Sequence, residues 1–446
     1  MNLRRLITVS LILASTPLTA IAQATGAGGP EPAASAEPTG ELSLERAVST
    51  ALSLSPVLAA VALGVPAAEA RLDQAAIYAN PNLGIEVENF GGSGERDGFN
   101  VTETTFALSQ PLLLGGKIAG RKGIARADLA LATRDLEAVR LDIAAMTTIA
   151  FNNVIVAQER VRLTEELAEL AQSFGETVRA RVEAGKVSPV EGIRARAAVA
   201  RARVDVANAK RALAAVRVSL ATTWGSSDPQ FSRAVGRLPR PSPPPPRAML
   251  DEWLQQTPEM ARLTEELQRQ EQVIKLEKAR GVPDLTLALG SRNFQDTGDW
   301  AWVGGMSLPL PIFNRNQGAR RAAEFELERT RREVAAVRIA LESRLSRILE
   351  GLRAAEDEAR SYEREIVPAS TEAFEAMSLG FREGKFGFLE VLDAQRSLFE
   401  ATLLLLDSRQ RYAATRTQLE RLVGRPPHVI ESTGFFAGDA PQGENQ

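Results

Sequence analysis

Ala184-Gly185-Lys186-Val187-Ser188 and Glu383-Gly384-Lys385-Phe386-Gly387 decide the fold, because the second stretch is the first met again 199 residues later. At the same spacing Glu191 falls on Glu390, and Trp224-Gly225 falls on Val423-Gly424. Upstream, Leu108-Ser109-Gln110-Pro111-Leu112 matches Met306-Ser307-Leu308-Pro309-Leu310 at 198, and Asn80-Pro81-Asn82-Leu83 matches Val282-Pro283-Asp284-Leu285 at 202. Landmarks that keep one order and nearly one spacing define a tandem repeat. The halves meet at Arg240-Pro241-Ser242-Pro243-Pro244-Pro245-Pro246-Arg247, whose prolines favour an extended, semi-rigid spacer. The expected division is repeat 1 over 41–235, a Pro-rich linker over 236–248 and repeat 2 over 249–424. A tail follows over 425–446, and a flexible Ala, Gly and Pro-rich segment precedes over 23–40.

Each half reads as helix, strand pair, very long helix, break, helix. Leu83, Ile85 and Val87 alternate with Gly84, Glu86 and Glu88, and Leu285, Leu287 and Leu289 with Thr286, Ala288 and Gly290, the period of a strand with one apolar face. Their partners run from Phe99 to Ser109 and from Trp300 to Leu308, giving hairpins over 82–110 and 283–309 that end at Pro111 and Pro309. Alternation is blurred between Val101 and Phe106, which points to a bulge. Leu136, Val139, Ile143 and Met146 then recur at helical spacing, as do Val334, Val337, Leu341, Leu345, Ile348 and Leu352. These open the long helical regions 112–224 and 317–423. A helix of about 60 residues would be about 90 Å long, which suits a rod or a tube.

The N-terminus carries Arg4 and Arg5, an apolar stretch from Leu6 to Leu18, and Ala20-Ile21-Ala22, the order of a secretory signal peptide over 1–22. With no cysteine in the chain there is no disulfide and no lipidated N-terminal Cys. No later stretch is expected to reach the roughly 20 apolar residues of a membrane-spanning helix. The chain is therefore expected in the periplasm or in an outer membrane crossed by strands. The 53 basic and 56 acidic residues are interspersed without a basic block, which argues against nucleic acid. With His428 the single histidine and no cysteine, no tetrahedral metal site, His–carboxylate cluster, thiolate nucleophile or credible catalytic triad can be assembled, and no cofactor is expected. The Gly-Lys pairs lack the rest of a phosphate-binding loop.

Strands of about ten residues are long enough to cross a bilayer when tilted. An open sheet edge cannot sit in lipid and four strands are too few to close a barrel, so membrane strands here would require several chains to share one. Trp300 and Trp302 would suit the interfacial belt of such a barrel. A soluble four-stranded sheet with one buried face remains open on the strand pattern alone.

The tandem repeat, Ser109-Gln110-Pro111 with Ser307-Leu308-Pro309, and the two Gly-Lys breaks together resemble the TolC family of outer-membrane efflux ducts from about Glu41 to Gly424. Leu308-Pro309-Leu310-Pro311-Ile312-Phe313-Asn314-Arg315-Asn316-Gln317-Gly318 and Leu114-Gly115-Gly116-Lys117 are similar to the CzcC-type, metal-cation branch. The resemblance implies an α+β chain: long helices forming a periplasmic helical barrel, plus four strands per chain in a trimeric, twelve-stranded transmembrane β-barrel. It implies a passive exit duct, not an enzyme, in the outer membrane of a Gram-negative bacterium. Its partners would be two further copies, a periplasmic adaptor, an RND-type inner-membrane pump and outer-membrane lipid. Gly185, Lys186, Val187 and Ser188 would form one adaptor-docking tip, and Gly384, Lys385, Phe386 and Gly387 the other. Glu390 and Asp393, with Glu191, would line the periplasmic gate, and Glu86 and Glu88 would face the lumen. Phe386 stands where some family members carry a basic latch residue, which removes that salt-bridge lock. A drug or type I protein-secretion duct, and a soluble periplasmic coiled-coil scaffold, are the competing readings.

Overall fold

The computed structural model describes residues 37–424. The expected signal peptide, most of the segment 23–40, the tail and His428 lie outside the described residues. Repeat 1 runs β1 (Gly40–Leu42), α1 (Leu44–Leu54), α2 (Pro56–Ala62), α3 (Gly64–Ala76), β2 (Asn82–Glu88), β3 (Glu103–Leu112), α4 (Lys117–Glu183), α5 (Pro189–Ala221) and β4 (Phe231–Ala234). Repeat 2 runs α6 (Arg247–Gln255), α7 (Pro258–Arg280), β5 (Leu285–Phe294), β6 (Trp300–Ser307), α8 (Gln317–Ser361), α9 (Val367–Arg382) and α10 (Phe388–Leu422).

The helix α4 has 67 residues and is therefore about 100 Å long. Its counterpart is interrupted: a π-helical turn over Tyr362–Ile366 joins α8 to α9. The buried pairs Val154 and Leu352, and Ala157 and Ala355, stand 198 residues apart, whereas Gly185 and Gly384 stand 199 apart. The π-turn houses that one extra residue. A π-bulge is how a helix absorbs an insertion without changing direction. Pro368 follows at once, and its missing N–H leaves the Arg364 carbonyl, inside the π-turn, without an α-helical partner.

Two cores sit at mid-length, one per repeat. Leu42, Ala51, Phe151, Val154, Trp224 and Phe231 form the first, with the Trp224 and Phe231 rings edge to face at 6.3 Å. Leu250, Leu254, Leu345, Leu352, Tyr412 and Leu422 form the second. In the first, β1 and β4 make a short parallel pair that the sequence reading did not contain. The Pro-rich linker is tied down here, because the Tyr412 hydroxyl donates to the Ser242 carbonyl and accepts the Ser242 N–H, both at 3.1 Å.

One expectation is corrected. An 18-residue window of α4 has a mean hydropathy of 1.3 and meets the length and composition of a membrane span. Apolar residues of this helix, Ile143, Phe151 and Val154, are spent in the repeat-1 core.

The remaining strands form one antiparallel sheet in the order β2-β3-β5-β6. Three boundaries differ from the sequence reading. The second strand begins at Glu103 rather than Phe99, so 99–102 belong to the turn. It also continues through Pro111 to Leu112, where β2 has already ended opposite Ser109 and only β5 remains as a neighbour. A residue without an N–H is tolerated at such a margin. β6 ends at Ser307, before Pro309. The expected bulge is absent: pairing runs without a slip from Asn82 opposite Ser109 to Glu88 opposite Glu103.

Candidate channel wall and helix tips

The strand register sorts every side chain of the sheet onto one of two faces. Leu83, Ile85, Val87, Phe106, Leu108, Leu287, Leu289, Trp300, Trp302 and Met306 fall on one face, and all are exposed. Trp302 is 83% exposed and Met306 74%. Thr104, Gln110, Ser291 and Asn293 share this face, but a bare and predominantly apolar face on this scale marks a surface that water does not meet. Trp300 and Trp302 lie on it beside the β5–β6 turn, at the end remote from the helices, where an interfacial belt belongs.

The opposite face carries Glu86, Glu88, Glu103, Thr105, Ala107, Gly290, Arg292 and Gly305. Arg292 ties three strands together: its guanidinium reaches Glu88 at 2.8 Å, Glu103 at 2.7 Å and the Thr105 hydroxyl at 2.8 Å. Glu86 stays exposed and outside this network. β3 and β5 approach closely at Gly290, where a Cβ would collide with the Phe106 carbonyl oxygen.

Sheet and helices are joined by a charged hinge point. Asp284, just before β5, accepts from the Leu114 N–H at 2.9 Å and pairs with Lys117 at 2.7 Å. Burial pushes its carboxyl up, but the Lys117 ammonium and the Leu114 N–H outweigh burial and hold it below the usual carboxylate range. At the start of α8 the joint is different: Asn316, left-handed at φ 57°, donates to the carbonyl and carboxylate of Glu277.

At the far end of the helices both Gly-Lys breaks take one geometry. Gly185 and Gly384 adopt φ 68° and 80°, and the N–H groups of Lys186 and Lys385 reach back to the carbonyls of Arg181 and Gly380, each at 2.8 Å. This paired closure with a left-handed glycine ends a helix with its last carbonyls satisfied. The next helix starts with a cap in each case. Ser188 accepts from the Val190 N–H at 3.3 Å, with Pro189 in the first turn. In repeat 2 Gly387 has no side chain to offer, and the Glu390 carboxylate folds back to accept the Gly387 N–H instead. Glu390 is exposed and Glu191 half-buried on the corresponding first turns, and Asp393 is exposed one turn further along α10. Phe386 lies back on α9, where only a glycine at 380 clears its ring.

The two tips are packed together by a cluster of Val178, Ala195, Phe381, Phe388 and Val391. Arg181 lies 4.1 Å above the Phe381 ring and donates to the Phe381 carbonyl at 2.9 Å. Sequence reasoning missed Arg181, Gly380 and Arg292. No local motif marks them, since each acquires its role from a residue 6 to 204 positions away.

The family model described as outer membrane efflux protein matches residues 47–226 and again 249–425, one match per repeat. The chain belongs to the outer membrane efflux protein family. It is 34% identical over 411 residues to the cobalt-zinc-cadmium resistance protein CzcC of Cupriavidus metallidurans, covering 92% of this chain and 96% of that one. The nickel and cobalt resistance protein CnrC of the same organism is 28% identical, over 61% of this chain and 64% of its own. Among solved structures, CusC superposes with a TM-score of 0.72 at 20% identity, covering 86% of this chain and 92% of that one. This efflux protein is thus an outer-membrane protein whose long helices extend into the periplasm.

Proposed function

We propose that the chain is the exit duct of a tripartite pump for divalent heavy-metal cations. Three copies share a twelve-stranded barrel in the outer membrane, a periplasmic adaptor docks at the tips, and an RND-type inner-membrane pump supplies the energy. The observation that carries the reading is the sheet, bare and apolar on one face, polar on the other, and unpaired at both edges. Such a sheet is at home only where lipid covers the apolar face and further strands close the edges. The cargo is supported by the likeness to CzcC along nearly the whole chain.

Among the described residues no group of three or more His, Cys, Asp and Glu is placed to hold a metal ion. A duct is served by weak contacts, because tight sites would retain the cargo. Glu390, Asp393 and Glu191 are proposed to line the periplasmic mouth, Glu390 serving also as the cap of α10. Gly185 to Ser188 and Gly384 to Gly387 are proposed to receive the adaptor.

The test is complementation of a deletion strain, scored on cobalt, zinc and cadmium and in parallel on a panel of organic drugs. Restored metal tolerance with unchanged drug tolerance is expected. Restored drug tolerance alone would reassign the cargo.

A further inference from the structure

The internal repeat predicts, residue by residue, how one copy meets the next. α7 lies between α4 and α8, whereas α3 packs on α4 and, beyond the adjoining α2, has no comparable neighbour among the described residues. Within the sheet, β3 and β5 are paired on both sides while β2 and β6 each keep one free edge. Whatever β5 and α7 do to β3 and α4 inside one copy, β2 and α3 of another copy are built to do to β6 and α8. The correspondence is tight. Ser55 and Thr257, 202 apart, both cap the following helix, and Leu58 and Met260 are both 7% exposed. On the other limb Ala125 and Ala323, 198 apart, are both buried, as are Val154 and Leu352.

Applying those two offsets to the observed pairs Leu108 with Leu289, Gln110 with Leu287 and Leu112 with Leu285 gives the missing ladder. We infer that a second copy seals the β6 edge in one register: Met306 opposite Val87 of the partner subunit, Leu308 opposite Ile85 of the partner subunit, and Leu310 opposite Leu83 of the partner subunit. Every pair places an apolar side chain beside an apolar one on the lipid-facing side. The lumen-facing Ser307 then lies opposite Glu86 of the partner subunit. A register wrong by one residue would turn these aliphatic side chains into the lumen. The two hairpins themselves differ by two residues, since Ser109 faces Asn82 but Ser307 faces Thr286, so a two-residue slip is the competing register.

The helices carry the same seam downward. Gly120 is needed inside one copy, because a Cβ there would lie 3.1 Å from Leu276. Its counterpart Gly318 meets nothing within 4 Å in its own chain, which leaves a glycine in α8 without a reason. The seam supplies one, by setting Gly318 against Gln74 of the partner subunit. Next to it, the small-on-large contact of Gly123 with Gln272 becomes a large-on-small contact of Arg321 with Ala70 of the partner subunit.

This inference rests on the shared-barrel reading, and the experiment separates the two. The chain has no cysteine, so paired cysteines can be placed on a silent background. Detergent-extracted M306C/V87C is treated with a short bis-thiol reagent beside M306C/I85C and M306C/N89C, and the mass of the untreated particle is measured. Directly opposite Cβ atoms lie about 5 Å apart and diagonal ones about 7–8 Å. Several-fold more inter-chain product from M306C/V87C is expected. An oligomer that prefers either shifted pair overturns the register and leaves the shared barrel standing; a monomeric particle overturns both. Gly318→Leu is the second measurement: its own copy has room, so helix content and melting of the protomer should hold while the oligomer dissociates at lower detergent concentration. An oligomer as robust as the parent overturns the helical part of the seam.

Discussion

The α4 limb and the α8–α9 limb perform the same task with different arithmetic. Both run from the sheet to a glycine-ended tip, but one is unbroken and the other contains a π-turn followed by proline. The extra residue rotates everything below it by about 100° unless it is absorbed. The π-turn absorbs it, and Phe381 reaches the first tip in register, 5.8 Å from the Phe174 ring. What the two limbs share is therefore the pair of ends, not the path between them.

The strongest way to break this comparison is to delete Glu365. The second limb would become a plain α-helix with its tip turned away from Val178 and Phe174. Loss of the tip cluster by several buried side chains should cost about 3–5 kcal/mol, read as early unfolding and tryptic cleavage near residue 380. Pro368→Ala, by contrast, should leave the tip intact, because residue count and not proline sets the register; tip cleavage as fast as in the deletion would reverse that assignment. Next in size is Gly380→Ala, whose methyl would collide with the Phe386 ring. Its expected cost is about 1–3 kcal/mol in a denaturant titration, while Arg181→Ala at the corresponding place in tip 1 acts through the lost Phe381 contact instead.

Ser188→Ala and Glu390→Ala compare the two caps. Each should cost about 0.5–1 kcal/mol in stability. Glu390→Ala with Asp393→Ala should in addition lower cation preference in single-channel recordings, and unchanged selectivity would confine Glu390 to capping. The smallest effect is at the hinge between sheet and helix. The Asp284 carboxyl is held low in the folded chain, so the stability it adds is present above the ordinary carboxylate pKa and lost as pH falls through the folded value. Asp284→Asn should therefore melt below the parent at pH 7 and converge with it as the pH drops below 4. The α8 joint, where Asn316 is the donor to Glu277, offers no Lys–Asp pair to match.

The parts of this molecule legible in its sequence are those with a period or a repeated landmark. Alternation announced β2 and β5, and the glycine breaks announced both tips. The change of offset from 198 to 199 was also visible in the sequence and is the signature of the π-turn, though nothing local at Tyr362–Ile366 shows whether an insertion becomes a bulge or a loop. β1 and β4, at three and four residues, are too short to express a period, and they pair across nearly the whole of repeat 1. Alternation puts Glu88 on the polar face of its strand, but that it is held by Arg292 follows only from the register of β3 on β5.

In the proposed duct, Arg181 has a consequence for how the periplasmic mouth can widen. By covering the Phe381 ring and donating to its carbonyl, it buttons the first hairpin to the second within one chain. A ring of three such chains is then an aperture with three leaves rather than six. Widening either carries both hairpins of a chain along together or begins by undoing that button and opening the cluster of Val178, Phe381 and Val391 beneath it.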